Sequence, residues 1–244
     1  MKKYKHTLLT LLYLTIFLVS GYKLFMYFYT YYETNRSLEE IQAIYKPVKE
    51  IVTNEHHIRQ QFEQLQTINE DIVGWVTLDG TKLDNPILQA QDNEAYLEHN
   101  YKGNFSRAGS IFMDYRNKID GPNYNTIIYG HAMRNGTMFG DLHLYADETY
   151  AREHPTIYYD TMYEGYTVEV FAAYETHISF DYIKTDFANE IDYATFLQDI
   201  KAKSVIPALT EVTVEDEIIT LSTCSSRTFY GDERFVVHGK LVKR

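Results

Sequence analysis

From residue 71 onward the chain consists of short runs rich in β-branched and aromatic residues, bounded by Gly, Asn and Asp. Such runs bury their side chains by pairing into a sheet. The pattern predicts strands over 72–78, 83–89, 110–114, 126–129, 156–160, 167–174, 211–214, 217–223 and 235–242, with Asp79-Gly80 as a tight turn. Two stretches carry helical spacing instead, 137–145 and 191–203, the second with Phe196, Leu197 and Ile200 on one face. The expected fold class is therefore mainly β, a largely antiparallel sheet closed as a barrel, with N-terminal helices and additional peripheral helices.

The N-terminal part is different. Residues 7–22 carry no formal charge, and after Lys23 the apolar and aromatic run resumes as Leu24-Phe25-Met26-Tyr27-Phe28-Tyr29 before fading near Tyr32. A spanning helix needs about 20 largely apolar residues, and a lysine near one end can extend its stem to the interface. A cleaved secretory signal would want a shorter apolar core and a small-residue cleavage site, whereas bulky Tyr, Phe and Met follow here. The expectation is an uncleaved transmembrane signal anchor over 7–32. It is preceded by a cytoplasmic tail, 1–6, whose Lys2, Lys3 and Lys5 stay inside, so that the remainder lies outside the cell. In 33–70, Leu38, Ile41, Tyr45, Val48, Ile51 and Val52 recur at helical spacing until Pro47 breaks or kinks the pattern, and Ile58, Phe62, Leu65 and Ile68 mark a second helix. Periodicity leaves open whether these faces pack on the following domain, 71–244, or form a solvated spacer.

Charge narrows the partners. With 23 Lys+Arg against 34 Asp+Glu the net charge is -11, and no basic cluster is present. Nucleic-acid binding draws most of its affinity from such clusters and is set aside. The single Cys excludes an internal disulfide. A zinc site is also disfavoured: there is no C-x-x-C, and His56-His57, His143 and His154 form no H-E-x-x-H pattern. The acidic residues form no EF-hand loop. The 23 Tyr suit core packing better than an aromatic ligand groove.

Two apolar runs end in residues able to do chemistry. Ile218-Ile219-Thr220-Leu221-Ser222-Thr223-Cys224 delivers the thiol to a sheet rim, and Asn125-Thr126-Ile127-Ile128-Tyr129-Gly130-His131 delivers an imidazole to a strand end. A solitary cysteine is often a small buried hydrophobe, so these residues by themselves leave two readings, inert thiol or nucleophile. A nucleophilic pair would stabilise thiolate with imidazolium or work through a minor population, and its His would later hand a proton to a leaving amine. Arg227 and Arg234, in or beside the loop after Cys224, are donors able to meet a developing oxyanion.

Residues 62 to 244 closely resemble the class B sortases, membrane-anchored cysteine transpeptidases of Gram-positive bacteria. The pieces that carry the resemblance are Asp71-Ile72-Val73-Gly74-Trp75, Gly109-Ser110-Ile111-Phe112-Met113-Asp114, Tyr129-Gly130-His131, Thr137-Met138-Phe139, Tyr182-Ile183-Lys184-Thr185-Asp186-Phe187 and Thr220-Leu221-Ser222-Thr223-Cys224. The resemblance implies a sortase-type barrel with Cys224 as nucleophile, His131 as general acid and base, and Arg234 as the guanidinium that binds substrate and oxyanion. Arg227 has the wrong spacing for that role. It implies the backbone N–H of Ser225 in the oxyanion hole, and a peptide groove lined by Asn93, Leu97, Tyr182, Ile183 and Ser222. The implied reaction cleaves an N-P-x-T-[N/G] type C-terminal sorting signal after Thr through a Cys224 thioester, and transfers the acyl group to a peptidoglycan cross-bridge amine. A pilin lysine takes that place in some relatives. No cofactor is implied. The implied partners are surface proteins bearing the signal, the cell-wall amine and the membrane. The rival readings are a secreted cysteine peptidase releasing its acyl-enzyme to water, and a membrane-tethered binding module with an inert thiol.

Overall fold

The computed structural model describes residues 2–45, 57–224 and 231–244, with the backbone alone for Lys2, Lys3 and Cys224. The uncharged N-terminal run is helical and continues past its predicted end, as α1 (Lys2–Gln42). Its Leu, Phe and Tyr side chains from Leu8 to Phe28 are largely exposed, and among the described residues it is the one helix long and apolar enough to cross a membrane. Residues 1–40 and 41–244 form two separate units. Pro47, with the break predicted there, lies outside the described residues, as do Val48, Ile51 and Val52.

In the second unit, α2 (Gln60–Ile68) precedes eight strands: β1 (Ile72–Thr77), β2 (Asp84–Leu88), β3 (Ile111–Met113), β4 (Asn125–Tyr129), β5 (Thr156–Thr161), β6 (Gly165–His177), β7 (Ile218–Cys224) and β8 (Glu233–Lys243). They close into a barrel in the order β1-β2-β3-β4-β7-β8-β6-β5. Pairs β2/β3 and β4/β7 are parallel and the remaining six antiparallel, as the expected fold class has it. A short 3-10 helix (Gly140–Ala146), α3 (Glu148–Glu153) and α4 (Glu190–Lys203) lie in the connections. Gly80, at φ 77, supplies the left-handed residue for the turn between β1 and β2 that Asp79-Gly80 predicted.

The registers carry one face of the sheet from Ile218 and Ser222 through Tyr129 to Phe112 and Leu88, and two apolar clusters pack on it. In the first, Ile41, Tyr45, Phe62 and Leu65 pack with Trp75 and Phe112, so the helical pattern around 41–68 is a packed layer where it is described. The Tyr45 ring stacks on the Trp75 indole at 4.0 Å, and Trp75 Nε1 donates to Asp84 Oδ1 at 2.6 Å. Phe62 and Leu65 are fully buried and contribute roughly 1.5–3 kcal/mol each. Ile58 and Ile68, expected on the same face, stay exposed. In the second, Tyr193, Phe196, Leu197 and Ile200 of α4 pack against Phe171, Ile218 and Val236, the helix face that their spacing predicted. Asp160 ties three segments: Arg59 Nη1 and Arg244 Nη2 donate to Oδ1 at 2.8 and 2.7 Å, and Tyr45 OH to Oδ2 at 2.8 Å.

Two local expectations are corrected. The stretch 211–214 is not a strand. Asp216 Oδ2 accepts from Thr213 N (2.8 Å) and Thr213 Oγ1 (3.0 Å), which closes a turn that a ladder would have to break, and Val212 is buried beside α4 instead. The helix expected over 137–145 begins later, as the 3-10 segment, and α3 follows it separately. Asp147 caps α3 by accepting from Tyr150 N, so the chain turns at 147 rather than continuing one helix.

Candidate active site

Strands β4 and β7 run parallel with Tyr129 level with Ser222, so both deliver their ends to the same rim of the barrel. His131 follows two residues after Tyr129, past the last paired position, where its carbonyl turns to Met133 and Phe139 of the next loop. Antiparallel to β7, β8 pairs Arg234 with Cys224 directly. His131, Cys224 and Arg234 therefore lie at or just past the ends of three adjacent strands, and neighbouring strands run about 4.8 Å apart.

A cavity of about 290 Å³ opens at this rim, lined by His131, Arg234, Asn93, Leu97 and Ser222, and also by Phe112, Tyr129, Gly130 and Thr223. Its entrance to β4 is tightly built. Gly130 N donates to Ser222 O at 3.2 Å, and a Cβ on Gly130 would stand 2.9 Å from the Phe139 ring, so glycine is required for the close approach. The His131 carbonyl accepts from both Met133 N (3.1 Å) and Phe139 N (3.0 Å) across a loop in which Met138 takes φ 53. These bonds fix the backbone of His131.

Its ring is fixed as well. Nε2 lies 2.8 Å from the Leu97 carbonyl, and since a carbonyl oxygen accepts, Nε2 carries the hydrogen. Nδ1 is then the atom at which neutral and charged imidazole differ. Arg234 Nη1 donates to the carbonyls of Gly231 (3.1 Å) and Glu233 (2.9 Å), which among the described residues leaves the Nε–Nη2 edge of the fork for an anionic or carbonyl oxygen.

The remaining predicted site residues divide. Asn93, Leu97 and Ser222 line the cavity; Tyr182 and Ile183 do not, and belong to the loop between β6 and α4 beside it. Tyr182 OH and Ser222 Oγ are 3.0 Å apart, so the loop reaches the rim through Ser222. Asn125 holds the same loop by donating to Lys184 O (3.1 Å) and Tyr182 O (3.4 Å), which makes its Oδ1 the acceptor for Thr220 Oγ1 at 2.7 Å. Thr220, its hydrogen given away, accepts from His238 Nδ1 at 2.9 Å, and Tyr174 OH donates to His238 Nε2 at 2.8 Å. His238 is accordingly a neutral core imidazole, with its pKa pushed by burial down to about 3. Ser225 and Arg227 lie outside the described residues.

Sequence reasoning gave no role to Asp114. Fully buried beneath the cavity, it accepts from Asn93 Nδ2 (3.0 Å), Tyr129 OH (2.8 Å) and the Arg116 side chain (2.8 and 2.7 Å). Burial favours its neutral form, yet the Arg116 guanidinium and the other donors outweigh that and hold the carboxyl below its usual range. The Tyr129 phenol is pushed up, first by burial and then by the Asp114 charge, and stays a donor. The sequence signal was the acidic end of the Ser-Ile-Phe-Met-Asp run, whose partner Arg116 follows two residues later. Among the described residues no group of three or more His, Cys, Asp or Glu is arranged to hold a metal ion.

The sortase domain family model matches residues 76–242. Sortase B of Listeria monocytogenes is 43% identical over 236 residues, 97% of this chain and 96% of that protein. Among solved structures, sortase B from B. anthracis in complex with AAEK1 superposes with a TM-score of 0.80 at 48% identity, covering 89% of this chain and 100% of its own. A Staphylococcus aureus sortase B–substrate complex gives 0.78 at 41% identity over 86% and 97%, and a sortase B complexed with triglycine gives 0.77 at 41% over 86% and 98%.

Proposed function

The chain belongs to the sortase family, as a class B cysteine transpeptidase, and from that premise we propose that it fixes surface proteins to the cell wall through a Cys224 thioester. The observation that supports this reading is the adjacency of β4, β7 and β8, with Cys224 paired to Arg234 at the rim where His131 and Arg234 line a cavity of about 290 Å³.

The acyl donor is a C-terminal sorting signal of the N-P-x-T-[N/G] type. The Cys224 sulfur attacks the carbonyl carbon of its Thr, forming a C–S bond while the carbonyl oxygen takes the negative charge. The Nε–Nη2 edge of Arg234, with the backbone N–H of Ser225, stabilises that oxyanion. His131 then gives a proton from Nδ1 to the nitrogen of the scissile amide. The C–N bond breaks, the amine departs and a thioester remains. A cross-bridge amine next attacks the thioester, loses a proton to Nδ1 and expels the sulfur, so the product is an amide and the pair is restored. Throughout, the Leu97 carbonyl keeps Nε2–H occupied and the ring oriented. Asn93, Leu97 and Ser222 bind the peptide, with Tyr182 and Ile183 on the flanking loop. Substrate and triglycine complexes of related sortases support the two-substrate character of the site.

α1 serves as an uncleaved anchor, with the spanning segment at 7–32, Lys2, Lys3 and Lys5 in the cytoplasm, 33–70 as the connecting helical region and the catalytic barrel, 71–244, outside. Anchored substrate and anchored enzyme then share one layer, which raises their effective concentration. The reaction needs no cofactor. The test is incubation of the protein with sorting-signal peptides and triglycine, mapping the cleaved bond by mass spectrometry. Cleavage after Thr with an amine-dependent ligated product is expected; hydrolysis indifferent to the amine would support a peptidase instead.

A further inference from the structure

The Asp114 carboxylate accepts from three residues, Arg116, Asn93 and Tyr129. Oδ1 accepts from Arg116 N (3.0 Å) and Arg116 Nε (2.8 Å), while Oδ2 accepts from Arg116 Nη2 (2.7 Å), Asn93 Nδ2 (3.0 Å) and Tyr129 OH (2.8 Å). Two consequences follow from the donor and acceptor types. First, the Asn93 amide has one possible orientation: its nitrogen must face the carboxylate, and its oxygen accepts from Tyr115 N at 3.1 Å. The second Nδ2–H is then a fixed donor in the cavity wall. Second, the same Arg116 Nη2 that grips Asp114 also donates to the Ile183 carbonyl at 3.1 Å. With Asn125 holding the carbonyls on either side, three successive carbonyls of that loop, 182 to 184, are held by side chains from the sheet and its loops.

One buried carboxylate is thus tied to Asn93 on the cavity wall, to Tyr129 on the neighbouring strand and, through one guanidinium, to the loop of Tyr182 and Ile183. We propose that Asp114 and Arg116 are positioning residues for the acyl-donor peptide, which lock Asn93 as a donor to an extended peptide's carbonyl and hold the opposite loop at a matching distance. Neither touches the reacting atoms. They act on recognition, because a donor oriented before binding costs the peptide no ordering free energy. The inference rests on the transpeptidase reading of the site.

The variants are Arg116→Lys and Asp114→Asn in the full-length protein, solubilised in detergent and assayed with a sorting-signal peptide and triglycine. A lysine ammonium is a point donor and cannot chelate the carboxylate side-on while reaching Ile183 O. An asparagine at 114 would set an amide against the Asn93 amide and the guanidinium. The expected result is a rise in KM for the peptide of about tenfold, the factor for one lost charge-assisted hydrogen bond, carried by KM rather than kcat. Alkylation of Cys224 by iodoacetamide, which reads thiol and imidazole without a peptide, should keep its pH profile. Asn93→Ala combined with Arg116→Lys should cost much less than the product of the two single effects, since both remove the same preorganised donor. A KM within about twofold of the parent in Arg116→Lys, a loss confined to kcat, or strict additivity with Asn93→Ala would overturn the proposal. Arg116 is 35% exposed, so its lysine variant carries the test even where Asp114→Asn does not fold. Absence of turnover in the unsubstituted protein is a separate outcome: it removes the functional reading and this inference with it.

Discussion

Nε2 of His131 is committed to the Leu97 carbonyl, so in the proposed reaction Nδ1 carries the proton, and Arg234 lines the same cavity. From this division of labour the substitutions are expected to separate. Cys224→Ala should abolish thioester formation, read as loss of the acyl-enzyme mass. His131→Ala should lower kcat by about 10²–10⁴-fold, the usual value of a positioned acid–base. Arg234→Lys should cost about 10²-fold in kcat despite keeping the charge, because an ammonium lacks the Nε–Nη2 fork. A rate for Arg234→Lys near the parent, with loss in Arg227→Ala, would reassign the oxyanion role. At this scale the sequence was informative where a run of apolar residues ended in a reactive one, as at Cys224 and His131. It placed Asp114 at the end of a strand run but gave neither it nor Arg116 a role, because a charged pair reveals its burial and its partners only once the sheet has closed over it.

Elements explain why those strand ends coincide. The parallel pairing of β4 with β7 places two chemically active ends at one rim, whereas a hairpin would have set them at opposite ends. The strand runs themselves, the turn at Gly80 and the buried face of α4 were readable from alternation, turn residues and helical spacing. What could not be read was which strands are neighbours, since the β4/β7 pairing spans the whole of 130–217. Local side-chain bonds also outweighed propensity twice, at Thr213–Asp216 and at the Asp147 cap.

Two predictions belong to elements. His238, buried between β6 and β7, stays neutral in the fold down to about pH 3, whereas an unfolded chain protonates it near 6.5. Between those values the unfolded state binds the extra proton, so stability is complete above about pH 6.5 and falls with acidification, at up to about 1.4 kcal/mol per pH unit. Denaturant titrations across pH 4–7 should show that slope, and His238→Gln should flatten it; an unchanged slope would contradict the buried neutral assignment. Asp160→Ala would leave Arg59 and Arg244 without their shared acceptor and should destabilise the barrel unit by about 3 kcal/mol, measured as a shift in the denaturant midpoint.

Taken whole, the molecule joins an apolar helix to an acidic barrel, and both parts serve one reaction only if the helix holds the barrel at a membrane. The protein should remain in the membrane fraction after alkaline carbonate extraction, and protease added outside intact cells should digest the barrel; release by carbonate would argue against an anchor. The central claim is that one sulfur, activated at this rim, passes an acyl group from peptide to amine. Intact-mass spectrometry of the protein, mixed with a sorting-signal peptide and then chased with triglycine, tests it most directly. The account predicts an adduct of the peptide's N-terminal portion on Cys224 that disappears on adding triglycine, as the ligated product forms. A protein that processes the peptide without any adduct at Cys224, or equally well as Cys224→Ala, would contradict it.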